Sequence, residues 1–188
     1  MIQAAVITVS DRCAAGVVLD TAGPAVAELL SNELMAHLVW TRTVPDEVEP
    51  IAKALTDLCD RRVDLVVTIG GTGISARDVT PQATRTAIDR ELPGLAEAMR
   101  MASTKQTANA LLSRAITGVQ RETLIVNLPG SLGAATDNLR TILSTLPHAV
   151  KVLRGETARS ESDYGRLIGL ASRTDSHLQP VAVLEIRP

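Results

Sequence analysis

Residues 70–73, Gly-Gly-Thr-Gly, are the part of this chain whose types and spacing point most directly to chemistry. Three glycines in four positions permit a sharp turn and let bare backbone amides approach a ligand. A fixed cation and a carboxylate, Arg77 and Asp78, follow closely. Before the glycines, Leu65-Val66-Val67-Thr68-Ile69 is short, branched and apolar on both faces, as in a buried parallel strand. After them, Thr80 can cap a helix, and Pro81 suits the first helical position because its missing N–H would be unpaired there. A strand, a glycine turn and a helix start form a pocket for an anion at the carboxyl end of a sheet. A bare GGTG is equally consistent with a plain turn; the Arg-Asp pair and the Thr-Pro start favour the anion site. On that reading a side chain at Gly71 blocks the ligand. The loop is neither a Walker loop, since no Lys-Ser or Lys-Thr follows, nor a GxGxxG turn.

The surrounding pattern must position this turn. Residues 2–10 read as a first buried strand running into Ser10-Asp11-Arg12 and a small-residue loop with Gly16, Asp20 and Gly23. Asp11 suits a local turn cap. Pro24 opens a helix expected to reach about His37. Residues 38–44 form a second strand, and Pro45-Asp46-Glu47 begins a helix to about Arg62. On residue types alone, Asp46 and Glu47 are favourable charge at that helix's positive end. A helix over 81–90 breaks at Glu91-Leu92-Pro93-Gly94, and another runs to about Ser103. Residues 115–119 and 123–127 read as strands joined by a tight reversal, which predicts one antiparallel strand in an otherwise parallel sheet. Leu128-Pro129-Gly130-Ser131 is a second strand end able to accept an anion, and His148 reads as a helix-start residue without a catalytic role. Alternating strands and helices predict an α/β three-layer sandwich over residues 1–154. From Gly155 the composition turns polar; residues 155–188 form a tail in which 181–186 could add an edge strand.

Composition narrows the function classes. The chain has 188 residues and a net charge of −2, with no basic run of the nucleic-acid kind. It has no Phe, one Trp (Trp40) and one Tyr (Tyr164), so it lacks the aromatic platforms that stack on single strands. Its core must be filled by Ala, Val, Leu and Ile. Cys13 and Cys59 have no metal-ligand or CxxC spacing. No signal peptide or apolar run of membrane-spanning length is evident, so a cytoplasmic protein is expected.

The run at 70–84 (GGTGISARDVTPQAT), ELPG at 91–94, NLPG at 127–130, the Ser10-Asp11-Arg12 loop and Val44-Pro45-Asp46-Glu47 together resemble the molybdopterin-binding family of molybdenum-cofactor biosynthesis. The resemblance covers roughly residues 1–154. It implies a trimeric adenylyltransferase that joins AMP from ATP to molybdopterin and releases pyrophosphate, with Mg²⁺. It also implies a partner protein that inserts molybdenum. By resemblance, Asp46 and Asp78 hold the metal. Ser10, Asp11, Gly70, Gly71, Thr72, Gly73, Arg77, Ser113, Asn127, Pro129 and Gly130 contact substrate. The nucleophile is then the pterin's terminal phosphate, mostly ionised at neutral pH, so no protein base is required. Ala76, Gln82 and Leu132-Gly133 depart from the family pattern without removing a proposed metal ligand. The rival expectation is a non-catalytic pterin-binding or scaffold protein on the same fold.

Overall fold

The structure, a computed structural model, describes residues 1–156. The strands are β1 (Gln3–Val9), β2 (His37–Val44), β3 (Leu65–Ile69), β4 (Arg90–Glu91), β5 (Thr117–Gln120) and β6 (Thr123–Leu128). The helices are α1 (Asp11–Ala14), α2 (Ala22–Asn32), α3 (Val48–Asp60), α4 (Thr80–Ala87), α5 (Pro93–Thr104), α6 (Leu132–Ile142) and α7 (Leu146–Leu153), with 3-10 turns at Ala108–Leu112 and Leu143–Thr145. The six strands form one sheet in the order β2-β1-β3-β6-β5-β4. β2, β1, β3 and β6 are parallel neighbours; β5 alone runs antiparallel to both of its neighbours, β6 and β4. This is the expected mainly parallel α/β/α arrangement with one reversed strand.

Period-two alternation divides the central strands between two cores. Ala4 and Val6 of β1, Leu65 and Val67 of β3, and Leu124 and Val126 of β6 pack under α2, α5, α6 and α7. Ala5, Ile7, Val66 and Ile125 face the other way, onto Ile51, Leu55 and Leu58 of α3 and Ala83 and Ala87 of α4. Every residue of β3 is buried, because helices cover both faces. The core is built from aliphatic side chains, as the absence of Phe requires.

Several boundaries differ from the sequence reading. α2 stops at Asn32, short of His37: Met35 takes a left-handed φ of 54°, and His37 N–H donates to Ile2 to begin β2. Thr80 does not cap α4. It lies inside the helix after Val79, and its hydroxyl donates to Gly70 O at 2.8 Å. Asp46 and Glu47 lie ahead of the first turn of α3, with Glu47 at the cap position in extended conformation. The loop after β1 contains the short helix α1, capped by Ser10, whose Oγ accepts Cys13 N–H, so Asp11 is not its cap. His148 falls inside α7. The edge-strand expectation for 181–186 lies outside the described residues. Among the described residues no helix is long and apolar enough to cross a membrane.

At the amino edge of the sheet, Asp64 closes the fold. It accepts Gln3 N–H at 2.6 Å and both Nε and Nη2 of Arg154, at 2.7 and 2.6 Å. Its side chain is 9% exposed, so the charge is stabilised by this paired geometry rather than by water. Asp64→Ala leaves Arg154 half-buried without its anion and should destabilise the protein by about 3 kcal/mol. Urea unfolding monitored by circular dichroism checks this. An unchanged midpoint would mean that the pair contributes nothing.

Candidate active site at the carboxyl edge of the sheet

Because β2, β1, β3 and β6 run parallel and adjacent, their carboxyl ends share one edge. Pro45-Asp46 follows β2, Ser10-Asp11 follows β1, Gly70-Gly71 follows β3, and Pro129-Gly130 follows β6. The four loops singled out in the sequence are therefore neighbours. Contact between them is close: a Cβ on Gly70 would stand 2.3 Å from Val9 O and 3.9 Å from the Gly130 Cα. With φ at +103°, Gly70 also holds a backbone conformation that side chains rarely adopt. Gly71, at φ +61°, turns the chain again. A Cβ there would meet Thr80 Oγ1 at 2.4 Å and Asp46 Oδ1 at 3.1 Å. A side chain at Gly71 thus damages the turn itself before it can block a ligand.

Asp46 and Asp78 line the same cavity, a space of about 370 Å³ that also reaches Ser10, Asp20 and Gly70. Each carboxylate is oriented by one backbone amide. Asp46 Oδ2 accepts Asp11 N–H at 2.8 Å, and Asp78 Oδ2 accepts Ser75 N–H at 2.7 Å. Among the described residues, Oδ1 of each accepts no hydrogen bond. Burial pushes the Asp46 carboxyl above its ordinary range; the Asp11 amide opposes this, and the Asp11 and Asp78 charges add to it. Two half-buried carboxylates within reach of each other's field, each with a free oxygen, suit a divalent cation. Among the described residues no group of three or more His, Cys, Asp or Glu could hold a metal, so a cation here would need oxygens from a ligand.

Asp11 and Arg77 serve Asp46. Asp11 Oδ1 accepts Asp46 N–H at 2.9 Å, completing a reciprocal pair with the bond from Asp11 N–H. Asp11 Oδ2 accepts Nε of Arg77 at 3.0 Å, and its Nη2 as well. Arg77 holds the Asp11 carboxyl below its usual range, chiefly through this bond, and its own pKa rises in return. Neither side chain lines the cavity, so in this structure their contacts are with the protein.

A second, larger cavity of about 430 Å³ lies on the other side of the glycine loop, lined by Thr72, Gly73, Ser113, Asn127, Pro129 and Gly130 among others. The two cavities share Gly130. The outer wall of the larger one is the 3-10 turn Ala108–Leu112, which the sequence reading missed. Ser113 Oγ accepts Ala115 N–H at 3.3 Å. Asn127 is fully buried, and its amide is fully used: it donates to Thr68 and Thr84 hydroxyls, both at 2.9 Å, and accepts Ile116 N–H at 3.3 Å. It fixes β6 to β3 and α4 rather than offering a free polar group. Arg114 was also missed, because an arginine between Ser113 and Ala115 carries no local signal. It holds the carbonyls of Gly73 and Asp78.

Comparison with known proteins gives this geometry a family. A family model described as a probable molybdopterin binding domain matches residues 5–148, which contain all of the candidate site residues. A molybdopterin adenylyltransferase of Helicobacter pylori is 40% identical over 156 residues, covering 82% of this chain and 89% of that protein. Gephyrin of Dictyostelium discoideum is 35% identical over 184 residues; these cover 92% of this chain but only 26% of gephyrin, so the chain spans about a quarter of that relative. The crystal structure of the molybdopterin biosynthesis enzyme MoaB from Thermus thermophilus matches with a TM-score of 0.78 at 43% identity, covering 82% of this chain and 98% of that one. With its fold, its strand-end loops and the match over residues 5–148 in agreement, the chain belongs to the molybdopterin-binding domain family of molybdenum-cofactor biosynthesis.

Proposed function

We propose that this protein is a molybdopterin adenylyltransferase that uses ATP and Mg²⁺. The observation that carries the reading is the pair of aspartates in one cavity, each oriented by a backbone amide and each with one oxygen left free among the described residues. Relatives named molybdopterin adenylyltransferase, at 36–40% identity, support it over the rival of a binding protein without activity. The donor chemistry fits Mg²⁺, which takes one or two carboxylates and completes its shell with phosphate oxygens and water. Asp46 and Asp78 would hold it, and when bound it would supply neutralisation of charge on the triphosphate.

In this reading the terminal phosphate oxygen of molybdopterin attacks the α-phosphorus of ATP. The new P–O bond forms as the bond to the β-phosphate oxygen breaks, and pyrophosphate leaves with that oxygen. The attacking phosphate is already largely ionised, so the protein contributes position and charge rather than a base. The larger cavity takes the pterin, the acidic cavity takes the triphosphate, and the two phosphate groups meet over Gly70, Gly71 and Gly130. Amides of the glycine loop face the phosphates there. The product is an activated pterin suited to a molybdenum-inserting partner protein, and the need for ATP is consistent with a cytoplasmic reaction.

Three results are expected. Asp46→Asn and Asp78→Asn keep side-chain size and remove charge; each should lower pyrophosphate release on the order of 10²–10³-fold with unfolding unchanged. Wild-type turnover in either variant would remove that residue from the mechanism. Gly73→Ala is a milder probe, because its Cβ would lie 3.0 Å from Asp78 Oδ2 at a φ that alanine tolerates. It should raise the Mg²⁺ concentration for half-maximal activity severalfold while shifting Tm by only a few degrees. Finally, we propose a homotrimer. Light scattering at micromolar protein should give three times the monomer mass, and a monomer would defeat that assignment.

A further inference from the structure

We propose that Arg114 is a positioning residue for this reaction: it clamps both ends of the 72–78 loop from behind, and so presents Asp78 and the loop amides to the substrates. The inference rests on the reading of Asp78 as a metal carboxylate. Arg114 makes three bonds to the loop. Its backbone N–H donates to Thr72 O at 2.8 Å, and its Nε donates to Gly73 O at 2.6 Å. Its Nη2 donates to Asp78 O. One guanidinium therefore spans the start and the end of the segment that carries Asp78. Asp78 closes the same segment from inside through Ser75 N–H.

The clamp has a directional consequence. In a planar trans peptide the carbonyl of one residue and the N–H of the next point opposite ways. With the Thr72 and Gly73 carbonyls held toward Arg114, the N–H groups of Gly73 and Ile74 must point away from it. Among the described residues, the amides of Gly71, Thr72, Gly73 and Ile74 donate to no acceptor. Thr72, Gly73 and Ile74 line the larger cavity, whereas Arg114 lines neither that cavity nor the acidic one. Arg114 therefore acts through the loop and not by touching substrate. A guanidinium fork can satisfy two carbonyls in fixed geometry, which a single ammonium cannot. Arg114 also follows directly on Leu112 and Ser113 of the larger cavity's wall, so one short segment carries both that wall and the clamp.

The test compares wild type, Arg114→Met, Arg114→Lys and Asp78→Asn. Mn²⁺ binding in the presence of ATP is titrated by electron paramagnetic resonance, alongside adenylyl transfer and thermal unfolding. Arg114→Met should weaken Mn²⁺ binding about tenfold or more and lower kcat by a similar factor. Arg114→Lys should recover part of both. A Mn²⁺ titration of Arg114→Met that overlays wild type would overturn the inference. So would an Arg114→Lys variant that binds Mn²⁺ and turns over as wild type, because a single ammonium cannot hold both carbonyls. Asp78→Asn separates the two claims. If it loses Mn²⁺ binding while Arg114→Met does not, only the clamp fails. If Asp78→Asn binds Mn²⁺ and turns over as wild type, the metal reading fails and the clamp falls with it.

Discussion

The close passage of three strand ends at Gly70 is the constraint on which the site depends. Parallel pairing of β1, β3 and β6 brings Thr8, Ile69 and Leu128 to one edge in register, with Val9 one residue further on. At the next residue the chain must leave β3 between Val9 O and Gly130, where there is no space for a Cβ. Gly70 N–H still pairs with Leu128 O, so the turn begins while the sheet is intact. The Thr80 hydroxyl then takes Gly70 O, which brings the start of α4 back against the turn. Everything in the 71–78 loop is hung between these two fixed points. A glycine chosen by sterics in the sheet thereby determines where two carboxylates meet.

Holding those carboxylates together is electrostatically unfavourable without a cation. The charges of Asp11 and Asp78 both act on Asp46, which is additionally removed from water. The fold offsets this by assigning each an ordered donor. Asp11 has Arg77 and the Asp46 amide; Asp46 has the Asp11 amide; Asp78 has the Ser75 amide. A charge-assisted bond to an amide is worth roughly 1.5–3 kcal/mol. That is enough to fix orientation, while among the described residues Oδ1 of Asp46 and Oδ1 of Asp78 accept no hydrogen bond. The residual strain is an affinity for positive charge, already built before any ligand arrives.

The parts of this design that obey local rules were legible in the sequence. The pattern at 65–69 coincides with β3, and the reversal after Gln120 coincides with the β5–β6 hairpin, where Arg121 takes a left-handed φ of 52°. Strand order followed less directly, but parallel strands required the loops after them to share an edge. Tertiary demands were not legible. α2 ends where β2 must start beside β1, although Ser31 to His37 contains no Gly or Pro. Thr80 looks like a cap and instead binds a carbonyl ten residues earlier. Asn127 looks like a ligand group in NLPG, yet its partners Thr68 and Thr84 are 59 and 43 residues away. Arg114 is silent for the same reason: its acceptors are backbone carbonyls 41 and 36 residues upstream, and carbonyls leave no mark on a sequence.

Composition also constrains how the proposed pterin would be held. Among the described residues the only aromatic side chain is Trp40, and it lines a separate groove beside α3. Among the described residues, the lining of the larger cavity offers no ring on which a flat heterocycle could stack. Its walls offer instead the thin aliphatic surfaces of Ala96, Met99 and Leu112, and the amides and hydroxyls of Ser103, Gln106 and Asn109. Apolar contact of this kind is tolerant of shape, whereas a polar edge that must find partners rejects a ring that cannot supply them. Selectivity for a pterin over another flat base would then come from hydrogen bonding at the ring edge. Affinity would come mainly from the phosphate at the glycine loop. This division would match the chemistry required: the group that reacts would be held at the glycine loop, and the group that is recognised would lie against the outer turn.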